Sequence, residues 1–272
     1  MQKGLISSAE QIGAYVEKLK KQKRELVTNF YLDEEKLEAL IGEEEISYSY
    51  RVGKYLNLLC REDGFLRLYF FIAELDSFYV EECNEVVVCD LFSTEENEKL
   101  RKITEKLDAC HFYQYACFEK WRAKCPRWDE SVPQEFVFGY DRDQNAIDLI
   151  FEVFDKYTDY LPRKCDMDMF LKDKRFINIY AKADCRLLGS LIYSQRGKEF
   201  TIELYFVKPE ERGKRISYLL HNHYYQKYAS DGVKFVSWIN IDNQKSILIH
   251  QRYNYQRMRL KKYTYLKEVN IV

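Results

Sequence analysis

From Glu203 to Leu220 the chain reads Glu-Leu-Tyr-Phe-Val-Lys-Pro-Glu-Glu-Arg-Gly-Lys-Arg-Ile-Ser-Tyr-Leu-Leu. A β-prone run stops at Pro209, and the basic segment Arg212-Gly213-Lys214-Arg215 opens directly into Ile216, Ser217 and an apolar pattern of helical spacing. The start of a helix presents backbone N–H groups without an intrahelical acceptor, together with the positive end of the helix dipole. A phosphate or pyrophosphate is the guest that such a place accepts. Arg212, Lys214 and Arg215 add full charges, and Gly213 lets the backbone come close. An ordinary basic strand-to-helix turn has the same composition, so the loop by itself leaves both readings open.

The elements that must position this loop are legible in the hydrophobic pattern. Residues 134–139 form a short β-prone run. Asp141, with Gln144 three positions on, predicts a helix start. Ile147, Ile150, Phe151, Phe154 and Tyr157 continue it at helical spacing toward Pro162. A shorter helix is predicted over 167–172, then strands over 176–181, 187–193 and 200–207, with turns at Ala183-Asp184 and Arg196-Gly197. After the basic loop come a helix carrying Ile216, Leu219, Leu220, His223 and Tyr224 on one face, a strand over 234–239, a helix over 243–252 and a strand over 259–266. In the first half, a charged helix is predicted over 9–28. Strands over 48–60 and 65–73 follow, joined at Glu62-Asp63-Gly64. A strand over 85–91, a helix capped by Ser93 with Glu96 at the capping-box position, and a strand over 111–118 complete it. Two prolines bracket the polar run from Cys125 to Pro133, which predicts domains at 1–130 and 131–272.

Composition bounds the rest. Hydrophobic residues are 46% and charged residues 32% of 272, so the chain can bury a core and is not of disordered type. No run approaches the ~18 apolar residues of a membrane-spanning helix, so no membrane partner is expected. The eight cysteines form no C-x-x-C pair and read as reduced thiols, which makes the cytoplasm the expected compartment. Charge is uneven: residues 1–132 carry a net −7 and residues 133–272 a net +6. The basic half suits an anionic ligand, although complementarity between the two halves explains the asymmetry equally well.

Together these features resemble the GNAT acetyltransferase superfamily. That family's pattern is a strand ending in Val-x-Pro-Glu, then Arg-Gly-x-Gly-Ile-Gly, then a Leu-rich helix. Val207, Pro209, Glu210, Arg212, Gly213, Ile216, Leu219 and Leu220 match it, while Arg215 and Ser217 replace two glycines. Backbone N–H donors survive such replacements, but the φ angles must be ones the new residues can adopt. Downstream, the family places an Asn, then Ala or Ser, then Leu-Tyr-x-x-x-Gly-Phe. Asn243, Ser246 and the run from Ile249 to Tyr255 stand there, with His250 in the tyrosine position and Asn254-Tyr255 in place of Gly-Phe. The likeness covers residues 133–272 and includes the element order.

The resemblance implies a mixed α/β fold: a mostly antiparallel central sheet flanked by helices, with a second, degenerate copy in the first half. It implies an acetyl-CoA-dependent N-acetyltransferase in which the amine of a small molecule attacks the thioester directly. Arg212, Gly213, Lys214, Arg215, Ile216 and Ser217 would hold the pyrophosphate. Val207 N–H would face the thioester carbonyl or the oxyanion. Asn243 would steady the pantetheine arm, or else cap its helix. Glu203 is the implied base, directly or through water, or else a carboxylate paired across the sheet with a basic residue. His250 is the implied donor to sulfur, with Tyr253 its rival, or else a structural histidine. The alternative function is a non-catalytic acyl-CoA-binding or regulatory protein, which the two lost glycines and the missing tyrosine fit.

No metal site is expected, because His221 and His223 lie two apart on a helix and face different ways. In the first half, the loop after 85–91 reads Phe92-Ser93-Thr94-Glu95-Glu96, without glycine or basic residues. That half is therefore expected to bind no coenzyme A and to shape the acceptor site instead, its negative charge favouring a cationic amine. Net charge near zero and the lack of an aromatic–basic motif argue against nucleic acid. A monomer or homodimer is expected.

Overall fold

The computed structural model describes residues 1–62, 65–124, 126–127, 133–154 and 167–268. The expected turn at Asp63-Gly64, most of the expected boundary segment at 125–133, and the expected helix end from Tyr157 to Pro162 lie outside the described residues.

Local capping and turn chemistry set the first elements. Strand β1 (Gln2–Leu5) leads into α1 (Ala9–Lys20), whose Ser8 cap accepts the Gln11 N–H. The predicted helix over 9–28 stops at Lys20, and β2 (Val27–Thr28) pairs with a later strand instead. Helix α2 (Glu34–Gly42) follows, capped by Asp33. The single strand expected over 48–60 is a hairpin of β3 (Ile46–Arg51) and β4 (Tyr55–Glu62), turned at Gly53, where φ is +68°. Then come β5 (Phe65–Ile72), β6 (Val87–Ser93), α3 (Glu98–Ala109) and β7 (Tyr113–Ala123). Ser93 does not cap α3. It is the last paired residue of β6, opposite Lys261, and Asn97 caps the helix through its bond from the Leu100 N–H.

The second half follows the predicted order: β8 (Phe136–Gly139), α4 (Gln144–Phe154), α5 (Met167–Leu171), β9 (Arg175–Ala181), β10 (Leu187–Arg196), β11 (Glu199–Val207), α6 (Ile216–Tyr228), β12 (Lys234–Asn240), α7 (Gln244–Arg252) and β13 (Gln256–Lys267). Helix α4 starts at Asp143 rather than Asp141. The Asp143 side chain and carbonyl accept the first free N–H groups, while the Asp141 carbonyl is taken by Asn178.

The chain divides into two compact units, and neither is a continuous stretch. The first comprises Met1–Cys117 with the end of β13, whose residues 261–267 pair antiparallel with β6. Its sheet runs β1-β3-β4-β5-β6-β13, antiparallel except for β5 beside β6. Alternation fills both faces: Leu56, Leu58 and Cys60 pack with Ile12 and Leu40, while Leu68, Phe70 and Ile72 pack with Ile103, Leu107 and the Tyr263 and Tyr265 of β13. The second unit takes the end of β7, residues 118–123, which pairs antiparallel with β12. Its order is β7-β12-β11-β10-β9-β8, antiparallel except for β11 beside β12. Helix α6 packs its Leu219, Leu220, Tyr224 and Tyr225 on that sheet, with Trp121 of β7 and Tyr253 in the same core.

The two parallel pairs correspond, and this corrects the expectation for the first half. The segment matching the basic loop is the β5-to-β6 connection, not Phe92–Glu96. That connection holds a single 3-10 turn, Leu75–Ser77, where the second unit has a helix of 13 residues. Without a helix start there is no set of aligned amides to hold a pyrophosphate.

Candidate functional site

Strands β11 and β12 run side by side only from Glu199 opposite Lys234 to Ile202 opposite Ser237. Beyond that point they part, and a cavity of about 440 Å³ opens between residues 203–207 of one and 238–240 of the other. Helix α7, through Asn243, Ser246, Ile249 and His250, forms another wall. The loop before α6, through Glu211, Arg212, Gly213, Arg215, Ile216 and Ser217, closes the far end. Against β10, Ile192 faces Leu204 and Tyr193 faces Ile202, so Glu203 is the extra residue of a β-bulge. A bulge bends its strand and re-aims the side chain it carries. Nothing in the residue types announces this bulge.

The basic loop has the geometry of an anion cradle. Gly213 has φ +81° and open space where a Cβ would stand. Arg215, one of the two residues in place of a family glycine, takes the left-handed conformation at φ +65°. The first intrahelical bond runs from the Leu219 N–H to the Arg215 carbonyl. The amides of Ile216, Ser217 and Tyr218 therefore point out of the helix start. Gly213→Ala adds no clash, so its cost is conformational, about 1–2 kcal/mol. We expect a melting temperature a few degrees lower and weaker acetyl-CoA binding, both readable by thermal shift with and without the ligand.

Charge at the loop differs from expectation at Lys214. Its ammonium lies 3.0 Å from Glu211, outside the cavity lining, and the same buried carboxylate takes Arg186 at 2.5 Å. The Arg186 and Lys214 bonds hold the Glu211 carboxyl below the usual range. Glu211 thus fastens the loop to the β9–β10 turn and leaves Arg212 and Arg215 as the cationic lining residues there. The Arg215 guanidinium lies 5.3 Å over the Tyr218 ring.

The other predicted residues divide clearly. Val207 lines the cavity at the end of β11. Asn243 also lines it and caps α7, its Oδ1 accepting the Ser246 N–H at 3.1 Å. Glu203 lines it as well, but its Oε1 accepts the Ser194 hydroxyl at 2.5 Å and sits 3.7 Å from the Lys174 ammonium. Tyr253 is not among the described residues lining the cavity. It is buried against α6, and its hydroxyl donates to the Tyr218 carbonyl at 3.0 Å.

His250 reaches the cavity wall with both ring nitrogens engaged. Nδ1 is 2.8 Å from the Ser246 carbonyl, which can only accept, so Nδ1 carries the proton. Nε2 is then a lone pair, and it accepts the Ser237 hydroxyl at 2.9 Å. Burial lowers the imidazole to about 4, so the ring is neutral at pH 7. The proton expected for a donor role is thus held by the Ser246 carbonyl.

Sequence reasoning missed Ser237, Glu211, Lys174, Phe118 and Trp238. Ser237 is one serine within an apolar run, and Lys174 lies 29 residues before its partner, so neither carried a local signal. Glu211 stood within the loop, but its partner Arg186 lies 25 residues earlier.

Residues 144–255 match the model of the acetyltransferase (GNAT) family. A Drosophila protein of known structure superposes with a TM-score of 0.61 at 13% identity, covering 97% of this chain and 98% of that one. A Kribbella flavida protein described as a GCN5-related N-acetyltransferase gives 0.52 at 10% identity over 85% and 92%. A tandem GNAT protein from the clavulanic acid biosynthesis pathway gives 0.50 at 9% identity over 81% of each chain. At such identities these likenesses speak for the fold. No curated protein matches the sequence. The parted parallel strands and the amide-rich helix start thus lie within a segment, residues 144–255, that matches the acetyltransferase (GNAT) family model.

Proposed function

We propose that the second unit transfers an acyl group from acetyl-CoA to the amine of a small molecule. The observation that carries this reading is the cleft where β11 and β12 part, with the start of α6 at its end. The residues suit the cosubstrate: open space beside Gly213 admits a phosphate, and three outward amides can bind it. The parted edge of β11, ending at Val207, offers backbone groups to the pantetheine arm and the thioester carbonyl. Direct attack by a neutral amine then needs only a place for its proton. The first unit, with a 3-10 turn in the matching connection, is proposed to bind no coenzyme A. A cationic acceptor remains the favoured class, on the net −7 of residues 1–132. Buried free thiols at Cys60, Cys89 and Cys110 fit a reducing compartment, and we place the protein in the cytoplasm.

A second reading has its own support. Glu203 is engaged by Lys174 and Ser194, and Lys214 by Glu211, which is how an acyl-CoA sensor that lost its chemistry would look. One experiment separates the two. The protein is mixed with acetyl-CoA and a panel of neutral, aromatic and polycationic primary amines, over a salt series, and free thiol is followed. Thiol release with an amine supports transfer, and a salt-sensitive preference for polycations supports the acceptor class. Binding without release on any amine supports the sensor. No binding removes both.

A further inference from the structure

Three side chains were expected to move protons in the cleft, and each of them has a hydrogen-bond partner within the protein. Glu203 holds Lys174 and Ser194, Tyr253 donates to a carbonyl outside the cavity lining, and His250 has its only proton against the Ser246 carbonyl. The other ring nitrogen, Nε2, is a lone pair, and the Ser237 hydroxyl donates to it at 2.9 Å. Ser237 is the last residue of β12 that pairs with β11, opposite Ile202, where these two strands part and immediately beside the Glu203 bulge. Ser237 and His250 are each 3% exposed, and both border the cavity. Because the Ser237 proton is given to Nε2, its oxygen can only accept from a ligand. An N–H donor is the partner it fits.

From this geometry we propose that Ser237 is a catalytic residue: its oxygen receives the proton of the attacking amine while its own proton passes to His250. The proposal rests on the acyltransferase reading above and adds the path of the proton to it. The amine nitrogen bonds to the thioester carbon, and the carbonyl π pair moves to oxygen. The N–H proton shifts to Ser237 Oγ as the Oγ proton shifts to His250 Nε2. The oxyanion pair then re-forms the carbonyl, the C–S bond breaks, and sulfur leaves with the bonding pair. The imidazolium returns its proton to Oγ, and the former amine proton goes from Oγ to sulfur. Amide and free thiol result, and the pair is restored without any further reactant. The buried imidazolium is a strong acid, which makes the second transfer downhill toward a thiolate.

The test uses the full chain with acetyl-CoA and the best amine of the panel. Wild type, Ser237→Ala, Ser237→Thr, His250→Gln and the double variant Ser237→Ala/His250→Gln are compared for kcat, for KM of acetyl-CoA, and for acetyl-CoA binding by thermal shift. Ser237→Ala is expected to lower kcat by about 10²–10³, within the range for a lost proton-transfer group, with acetyl-CoA binding unchanged. Ser237→Thr restores most of the rate, because it restores the hydroxyl on a strand that accepts a β-branched residue. The double variant loses no more than the worse single one, as befits residues that act as a unit. Wild-type kcat in Ser237→Ala, or failure of Ser237→Thr to recover while still binding acetyl-CoA, overturns the relay and leaves the acyltransferase reading intact. Losses that multiply in the double variant overturn it as well. Wild-type protein that binds acetyl-CoA and releases no thiol with any amine overturns both.

Discussion

Acidification from pH 7 to pH 5 is expected to remove roughly 4 kcal/mol of folding stability, through two buried histidines. Burial lowers His221 to about 3 and His250 to about 4, and for His221 the neighbouring His250 adds to the effect. Their centroids are 5.7 Å apart. The groups facing them are Tyr205 from β11, Ser237 from β12, and Tyr225, Tyr253 and Tyr255, none of which is charged at pH 5. In the unfolded chain both titrate near 6.5, about 1.5 units above pH 5, which is about 2 kcal/mol for each. The sign follows from proton counts. Between the folded and unfolded values the unfolded chain holds more protons, so stability rises with pH, is complete above about 6.5, and is lost as pH falls toward 4. Urea unfolding at several pH values measures the slope. His221→Phe keeps an aromatic ring against Tyr253 and should remove about half of it, as should His250→Gln. Equal wild-type stability at pH 7 and pH 5 would sink this account.

Gly189→Ala is expected to cost about 1–3 kcal/mol and to damage the cleft as well. A Cβ at Gly189 would stand 2.7 Å from the Phe206 carbonyl oxygen and 3.2 Å from the Val207 Cα. Both are backbone atoms of the neighbouring strand, so neither can turn aside. Gly189 pairs with Val207 in register, and Val207 lines the cavity. The strand must therefore move where the cosubstrate binds. Gly139→Ala is the control, since its Cβ would meet only the Tyr180 ring, at 3.0 Å. We expect Gly189→Ala to lose both melting temperature and acetyl-CoA affinity, and Gly139→Ala to lose much less of the first and none of the second. Equal effects would remove the steric explanation.

What could be read from the residues was what neighbours in sequence decide. The loop from Arg212 to Ser217, the helix behind it and the Asn243 cap depend on contacts a few residues apart, and they stand where spacing put them. The hairpin turn at Gly197 is of the same kind, with its glycine at φ +57°. What could not be read depends on pairing across the sheet. The bulge at Glu203 arises from the register of β10 on β11, and the four-pair overlap of β11 with β12 sets where the cavity begins. The partners of Glu203 and Lys214, Lys174 and Glu211, leave no periodic trace. Ser237 is informative only once His250, 13 residues later, is seen to lie against it.

The traded strands have a consequence for how the chain is made. The first unit closes its sheet with residues 261–267, and the second needs residues 118–123 from the other half. A ribosome delivers Met1–Cys117 long before it delivers β13. Until then β6 has an unpaired edge, and Tyr263 and Tyr265 are missing from the core beneath it. The first unit therefore cannot finish folding before residues 261–267 have emerged, and a nascent chain stalled anywhere before residue 261 would leave that edge open to foreign strands. Pairings so far apart in sequence also make refolding slow.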